Sequence, residues 1–140
     1  MGRKEIVNEV DRLLKDAEEL YREAIKELEE GKIRNAAEKA WGGVMRATNA
    51  LILASFQMKP ESFRERREKY KELAEKEKYI RRKRLFQDYM AYSRELHIET
   101  FYEGHLQPIA DTEKRIRETI YYIKNLSPII NKKLAELKCQ

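Results

Sequence analysis

Leu28-Glu29-Glu30-Gly31-Lys32-Ile33-Arg34-Asn35-Ala36-Ala37-Glu38-Lys39-Ala40-Trp41-Gly42-Gly43-Val44 holds the end of one helix and the start of the next. Gly31 is the natural left-handed residue just past a helix C-terminus, and Lys32 beyond it has the charge sign that a helix end favours. Upstream, Ile6, Val10, Leu13, Ala17, Leu20, Ala24 and Leu28 step by three and four. They mark one stripe of a helix of roughly 25 residues, about 40 Å long. Downstream, Ala36, Ala37, Ala40, Trp41, Val44, Thr48, Leu51, Ala54 and Ser55 carry a second helix from about Ile33 to Met58. So short a link makes the two an up-down antiparallel pair. Two glycines in mid-helix each cost about 1 kcal/mol relative to Ala, so Gly42-Gly43 predicts a close helix crossing, with Trp41 filling the space beside it.

Working outward, Pro60 suits the first turn of a third helix, which thins in apolar content from Phe63 to Arg84 and should bend or break near residues 76–80. Periodicity resumes through Leu85, Phe86, Tyr89, Met90, Leu96 and Phe101 and closes at Gly104, which gives a fourth helix. Pro108, or Asp111 as an N-cap, opens a fifth along Ile109, Ile116, Ile120, Ile123, Ile130, Leu134 and Leu137, with a kink expected at Pro128. Strand alternation and internal repeats are missing. The expectation is an all-α bundle of about five helices forming a single domain over residues 1–140.

Composition agrees. Ala, Glu, Lys, Leu and Arg supply 76 of 140 residues, the balance of a chain built from long, densely charged helices. The longest apolar run, Ala50 to Ala54, is far too short for a membrane span, and the charged N-terminus lacks the apolar core of a signal peptide, so a cytoplasmic protein is expected. One cysteine, Cys139, excludes an internal disulfide. Net charge is +5, unevenly placed: residues 61–84 carry 11 basic and 6 acidic side chains, whereas residues 85–107 carry 1 and 4.

Few constellations support chemistry. A dimetal carboxylate centre in a bundle wants paired Glu-x-x-His motifs, but Arg94 and Tyr102 stand three residues before His97 and His105. Zinc-type spacing and a Gly-rich phosphate loop are likewise missing, so no metal or cofactor is expected. His97 reads either as a buried imidazole bonded to a neighbour or as an acid–base group with Arg94 as phosphate clamp. His105 falls in a loop and reads as solvated. Lys78, Arg81, Arg82, Lys83 and Arg84 form the densest like-charge cluster, on two adjacent strips if they share one helix. Two readings remain open for it: a solvated face paired with nearby Glu65, Glu68, Glu72, Glu75 and Glu77, or a surface for an anionic ligand, RNA ahead of duplex DNA. On the last helix, Tyr121, Tyr122 and Ile129 are candidates for a subunit contact.

Ala36-Ala37-Glu38-Lys39-Ala40-Trp41-Gly42-Gly43, directly after Glu30-Gly31-Lys32, resembles the second-helix signature of the archaeal PaREP-type proteins. Leu96-His97 with Phe101-Tyr102-Glu103 resembles the same family's later helix. Glu38, Lys39 and Trp41 carry the strongest part, and Glu38, Lys39, Trp41, Gly42, Phe101 and Tyr102 read as structural, with the polar pair tying the first two helices together. These proteins are similar to the HEPN domain. That resemblance implies a helical bundle that pairs as a homodimer and acts either as a metal-independent ribonuclease or as the partner of a small nucleotidyltransferase. The nuclease branch places four to six residues between an Arg and a following His; here two separate Arg94 from His97 and ten separate it from His105. The resemblance therefore points to a non-catalytic homodimeric module that binds a protein partner, a nucleotide or RNA. A diverged ribonuclease is the alternative.

Overall fold

The computed structural model describes residues 1–104 and 108–139, and its elements are all helical. Helix α1 (Arg3–Glu29) and helix α2 (Ile33–Phe56) are joined through Gly31, whose φ of +79° is the left-handed geometry expected of it. Their contacts run in opposite directions: Lys39 faces Glu23 and Glu27, Arg46 faces Asp16, and Lys59, just past α2, reaches Glu9. The pair is antiparallel, as the short link requires. Whereas α1 buries a single stripe, α2 buries Ala50 through Ala54 consecutively, because neighbours cover it on several sides.

The close crossing sits at one glycine rather than two. A Cβ on Gly43 would lie 3.0 Å from the backbone oxygen of Ala17 and 3.5 Å from Cδ1 of Ile123, so α1 and the last helix of the chain, α6 (Ile109–Lys138), both approach at that point. At Gly42 the nearest atom would be the movable end of Leu20, at 3.4 Å.

After α2, Ser62 accepts a hydrogen bond from the Glu65 amide and starts α3 (Phe63–Lys76), a few residues later than Pro60 suggested, since the serine satisfies a free N–H that proline cannot. The expected break falls at Glu77, which is extended (φ −104°, ψ 109°) and leads into the short α4 (Lys78–Lys83). A second break follows at Arg84, in the left-handed region at φ 56°, so Lys78, Arg81, Arg82 and Lys83 share α4 while Arg84 sits at the turn that ends it. From there α5 (Leu85–Tyr92) continues directly into a ten-residue π-helix, π1 (Ser93–Tyr102), which periodicity alone did not indicate. The wider turn is visible in the Glu103 amide donating to the Ile98 carbonyl and the Thr100 hydroxyl donating to the Glu95 carbonyl, each five residues back.

Helix α6 (Ile109–Lys138) begins after Pro108 rather than at an Asp111 cap and runs unbroken through Pro128. Proline leaves the Lys124 carbonyl without its usual donor, and on the neighbouring Asn125 carbonyl the Tyr79 hydroxyl donates at 2.7 Å. Tyr122 and Ile129 are buried, which removes them as subunit contacts, because α6 turns that face into the core; Tyr121 alone of the three is exposed. Inside, the hydroxyls of Tyr70 and Tyr122 lie 3.0 Å apart, those of Tyr122 and Thr48 2.6 Å apart, and Thr48 bonds the Val44 carbonyl. This chain ties α3, α6 and α2 together in the core.

Replacing Gly43 by Ala forces the backbones apart and should lower stability by roughly 1–3 kcal/mol. Gly42→Ala should be neutral or stabilising by up to about 1 kcal/mol, because the helix gains propensity and only a leucine terminus has to move. Urea midpoints of the two variants check this pair of opposite effects.

Candidate functional site

Two places hold the residues that the sequence singled out, and they differ in what they can do. The first lies between α2 and π1. His97 Nδ1 stands 2.9 Å and 3.1 Å from the two carboxylate oxygens of Glu38. A carboxylate only accepts, so Nδ1 donates, and Nε2 is left as the ring atom able to take or deliver a proton. The imidazole stacks on Trp41, with centroids 5.9 Å apart at 25°, and meets the ring of Tyr102 edge-on at 4.9 Å. His97 is thus half-buried against polar and aromatic neighbours rather than enclosed in the core.

Helix α2 supplies Glu38 and Trp41 from one turn, while π1 supplies His97 and Tyr102 from positions five apart. That second pairing depends on the π geometry. Three-residue spacing would set Arg94 beside His97 on an α-helix, but the wider turn carries it away: Arg94 is exposed and lies 3.6 Å from Glu95 and 3.7 Å from Glu99. The guanidinium of Arg94 is thus answered by acids of its own helix. His105, the other histidine, lies outside the described residues. Arg34, which the sequence did not single out, donates from Nε to the Phe101 carbonyl at 3.0 Å and packs over Gly104 at φ +65°. It holds the last turn of π1, and with it Phe101 and Tyr102, onto the start of α2.

Lys39 faces α1 as expected, 3.9 Å from Glu23 and from Glu27. Glu38 does not join it there, because its place on α2 turns it toward π1. Trp41 is buried and also contacts Tyr89 at 5.4 Å; Gly42 is half-buried beneath Leu20.

The second place is α4. Lys78, Arg82 and Lys83 are exposed and make no ion pair among the described residues, and three of the five acids nearby in sequence are engaged elsewhere. Glu68 pairs with Arg64, Glu72 with Lys76, and Glu77 with both Lys132 (2.8 Å) and Lys133 (3.0 Å) on α6. Those two ammonium groups, Lys132 first, outweigh partial burial and hold the Glu77 carboxyl below its ordinary range. Arg81 folds back to donate to the Ala74 and Glu75 carbonyls at the end of α3, which keeps its charge without an acidic partner. Arg84 is exposed at the turn. The break at Glu77 and the turn at Arg84 thus set off a short cationic helix, pinned to α6 by one glutamate.

A cavity of about 300 Å³ lies between π1 and α6, lined by Glu95, Thr100, Thr112, Lys114, Arg115 and Glu118 among others. Its central charge is already answered within the protein: Arg115 donates to Glu95 at 2.5 Å and 3.2 Å and to Glu118 at 3.4 Å. Among the described residues no group of three or more His, Cys, Asp or Glu side chains is placed to hold a metal ion, and no helix is long and apolar enough to cross a membrane.

The sequence profile of the archaeal PaREP1/PaREP8 family matches residues 12–120. No curated protein and no solved structure matches the chain. The matched span contains Glu38, Lys39, Trp41, His97, Phe101 and Tyr102 together with the α4 cluster.

A double-mutant cycle on Glu38→Gln and His97→Gln should return a coupling of roughly 0.5–1 kcal/mol in unfolding free energy, modest because both side chains remain partly solvated. Additive effects would mean that the pair does not stabilise the contact of α2 with π1.

Proposed function

The chain belongs to the archaeal PaREP1/PaREP8 family, and from that premise we propose that it is a HEPN-like homodimeric module that binds single-stranded RNA through α4 without cutting it. The observation that carries this reading is the lack of neutralisation at α4. Cations on a helical surface ordinarily pair with acids three and four residues away, and such a face is merely solvated. Here Glu68, Glu72 and Glu77 are drawn to Arg64, Lys76, Lys132 and Lys133, Glu65 and Glu75 form no ion pair with α4, and Lys78, Arg82 and Lys83 make none among the described residues. Phosphates are the counterions that such a strip attracts. A non-cutting role is supported by Arg94, whose guanidinium lies beside Glu95 and Glu99 rather than being left as an open charge for a phosphodiester. The homodimer rests on the likeness to the HEPN domain, with Tyr121 the exposed aromatic of α6 available to it.

A second reading, a diverged ribonuclease, is favoured by the Glu38–His97 pair, because a carboxylate-oriented imidazole with its other nitrogen free is the usual build of a general acid–base group.

Fluorescence anisotropy of a labelled single-stranded RNA, titrated at several salt concentrations, separates the readings. Three to five engaged cations give a log–log salt slope of roughly −2 to −3.5, at about −0.7 per phosphate neutralised, with the RNA intact on a gel. Reversing Lys78, Arg82 and Lys83 to Glu together should weaken binding at least about tenfold and flatten the slope. Unchanged binding in that variant overturns the α4 reading. Cut RNA, with cleavage lost in His97→Ala, establishes the ribonuclease instead. Light scattering at micromolar protein should give twice the 16.8 kDa chain mass, and a strict monomer removes the dimer.

A further inference from the structure

We propose that the exposed ring of Tyr102 is a stacking platform for a base of the bound strand, an inference that rests on the RNA-binding reading of α4. Tyr102 is 67% exposed, among the largest exposures of any aromatic side chain described, yet it does not hang from a loose chain end. Arg34 donates to the Phe101 carbonyl at 3.0 Å and to the Tyr102 carbonyl at 3.4 Å, which fixes the backbone that carries the ring. His97 meets the ring edge-on at 4.9 Å and Phe101 at 5.4 Å, both at about 80°, so neither neighbour lies flat against the phenol. A clamped, solvent-exposed aromatic ring on which no ring of the described residues is stacked is the geometry on which single-stranded nucleic acids place a base, irrespective of sequence.

The occupant follows from the position of α4. Arg84 leads straight into α5, and α5 with π1 forms one rod of 18 residues ending at Tyr102. At about 1.5 Å per residue in α5 and somewhat less in the wider-wound π1, that rod spans roughly 20–25 Å. A strand whose phosphates lie on α4 therefore needs several nucleotides to reach Tyr102, within the site lengths of about 4–16 nucleotides common for single-strand binders. Charge at one end of the rod and an aromatic at the other make a strand a better fit than a small anion.

Anisotropy measurements compare a labelled oligoadenylate of about ten nucleotides with an abasic sugar-phosphate chain of equal length, on the natural protein, Tyr102→Leu and Tyr102→Phe. The expected result is oligoadenylate affinity about fivefold or more lower in Tyr102→Leu and retained in Tyr102→Phe, with the abasic chain bound equally by all three and the salt slope unchanged. Trp41 fluorescence, from a buried ring beside His97, checks that π1 keeps its place in the variants. Equal oligoadenylate affinity of the natural protein and Tyr102→Leu overturns the platform and leaves the α4 reading standing. Equal losses on both chains overturn it in favour of a structural role, and a changed oligomeric state in Tyr102→Leu overturns it in favour of a subunit contact. If the natural protein binds neither chain even at low salt, the α4 reading fails and the platform fails with it.

Discussion

The approach of two backbones at Gly43 is the constraint on which the rest of the structure depends. A Cβ there would sit 3.0 Å from the Ala17 oxygen, closer than side-chain carbons normally come to a carbonyl, so only glycine lets α1 and α2 lie this near. Ala17, Ala24, Ala36, Ala37 and Ala40 are fully buried around that line, and small residues make it one of backbone proximity rather than of interlocking side chains. Such a seam fixes distance well and axial position poorly, because alanines on a helix face resemble one another. The hydroxyl chain from Tyr70 through Tyr122 to Thr48 complements it. A slide of α2 by one residue would leave buried hydroxyls without partners, at a cost of about 1–3 kcal/mol each.

With α2 fixed against α1, its opposite side presents Arg34, Glu38 and Trp41 at successive turns to π1. These ties, with the Thr100 hydroxyl on the Glu95 carbonyl, hold a helix type that is otherwise uncommon beyond one turn. Along the wide turn Tyr102 meets His97 edge-on and Arg94 lies beside Glu95 and Glu99. Elsewhere the same logic acts through charge. Glu77 pulls α6 toward the start of α4, and the lysines that hold it are the reason it cannot neutralise the cations that follow.

How far the residues announced this outcome depends on the range of the forces involved. The stripe from Ile6 to Leu28, the Gly31 stop and the small-residue face of α2 are set by local periodicity and end chemistry, and all are legible without a partner. The break near Glu77 was foreshadowed by the thinning apolar pattern, but the left-handed turn at Arg84 was not, since arginine carries no turn signal of its own. Burial of Tyr122 and Ile129 could have been inferred from their place near the Ile116–Ile123–Ile130 stripe. At the candidate site, His97 and Glu38 were each visible as residues, while their pairing was not, because it needs the relative rotation of α2 and π1. No periodicity test built on α-helices reports a π-helix, and three-residue spacing read as α-helical sets Arg94 beside His97. Arg34 was missed because its role is to bond carbonyls, which every residue possesses.

One property of π1 bears on how this chain should be lined up with its relatives. A wide helix uses more residues per turn than an ordinary one, so a relative with an α-helix in the same place needs fewer residues to lay the same surface against its second helix. An insertion or deletion inside the span 93–102 would then mark a change of winding rather than the loss of a loop. Residues at equal alignment columns on either side of that gap would point in different directions, and the histidine matched to His97 by column need not be the one that faces a glutamate at the position of Glu38.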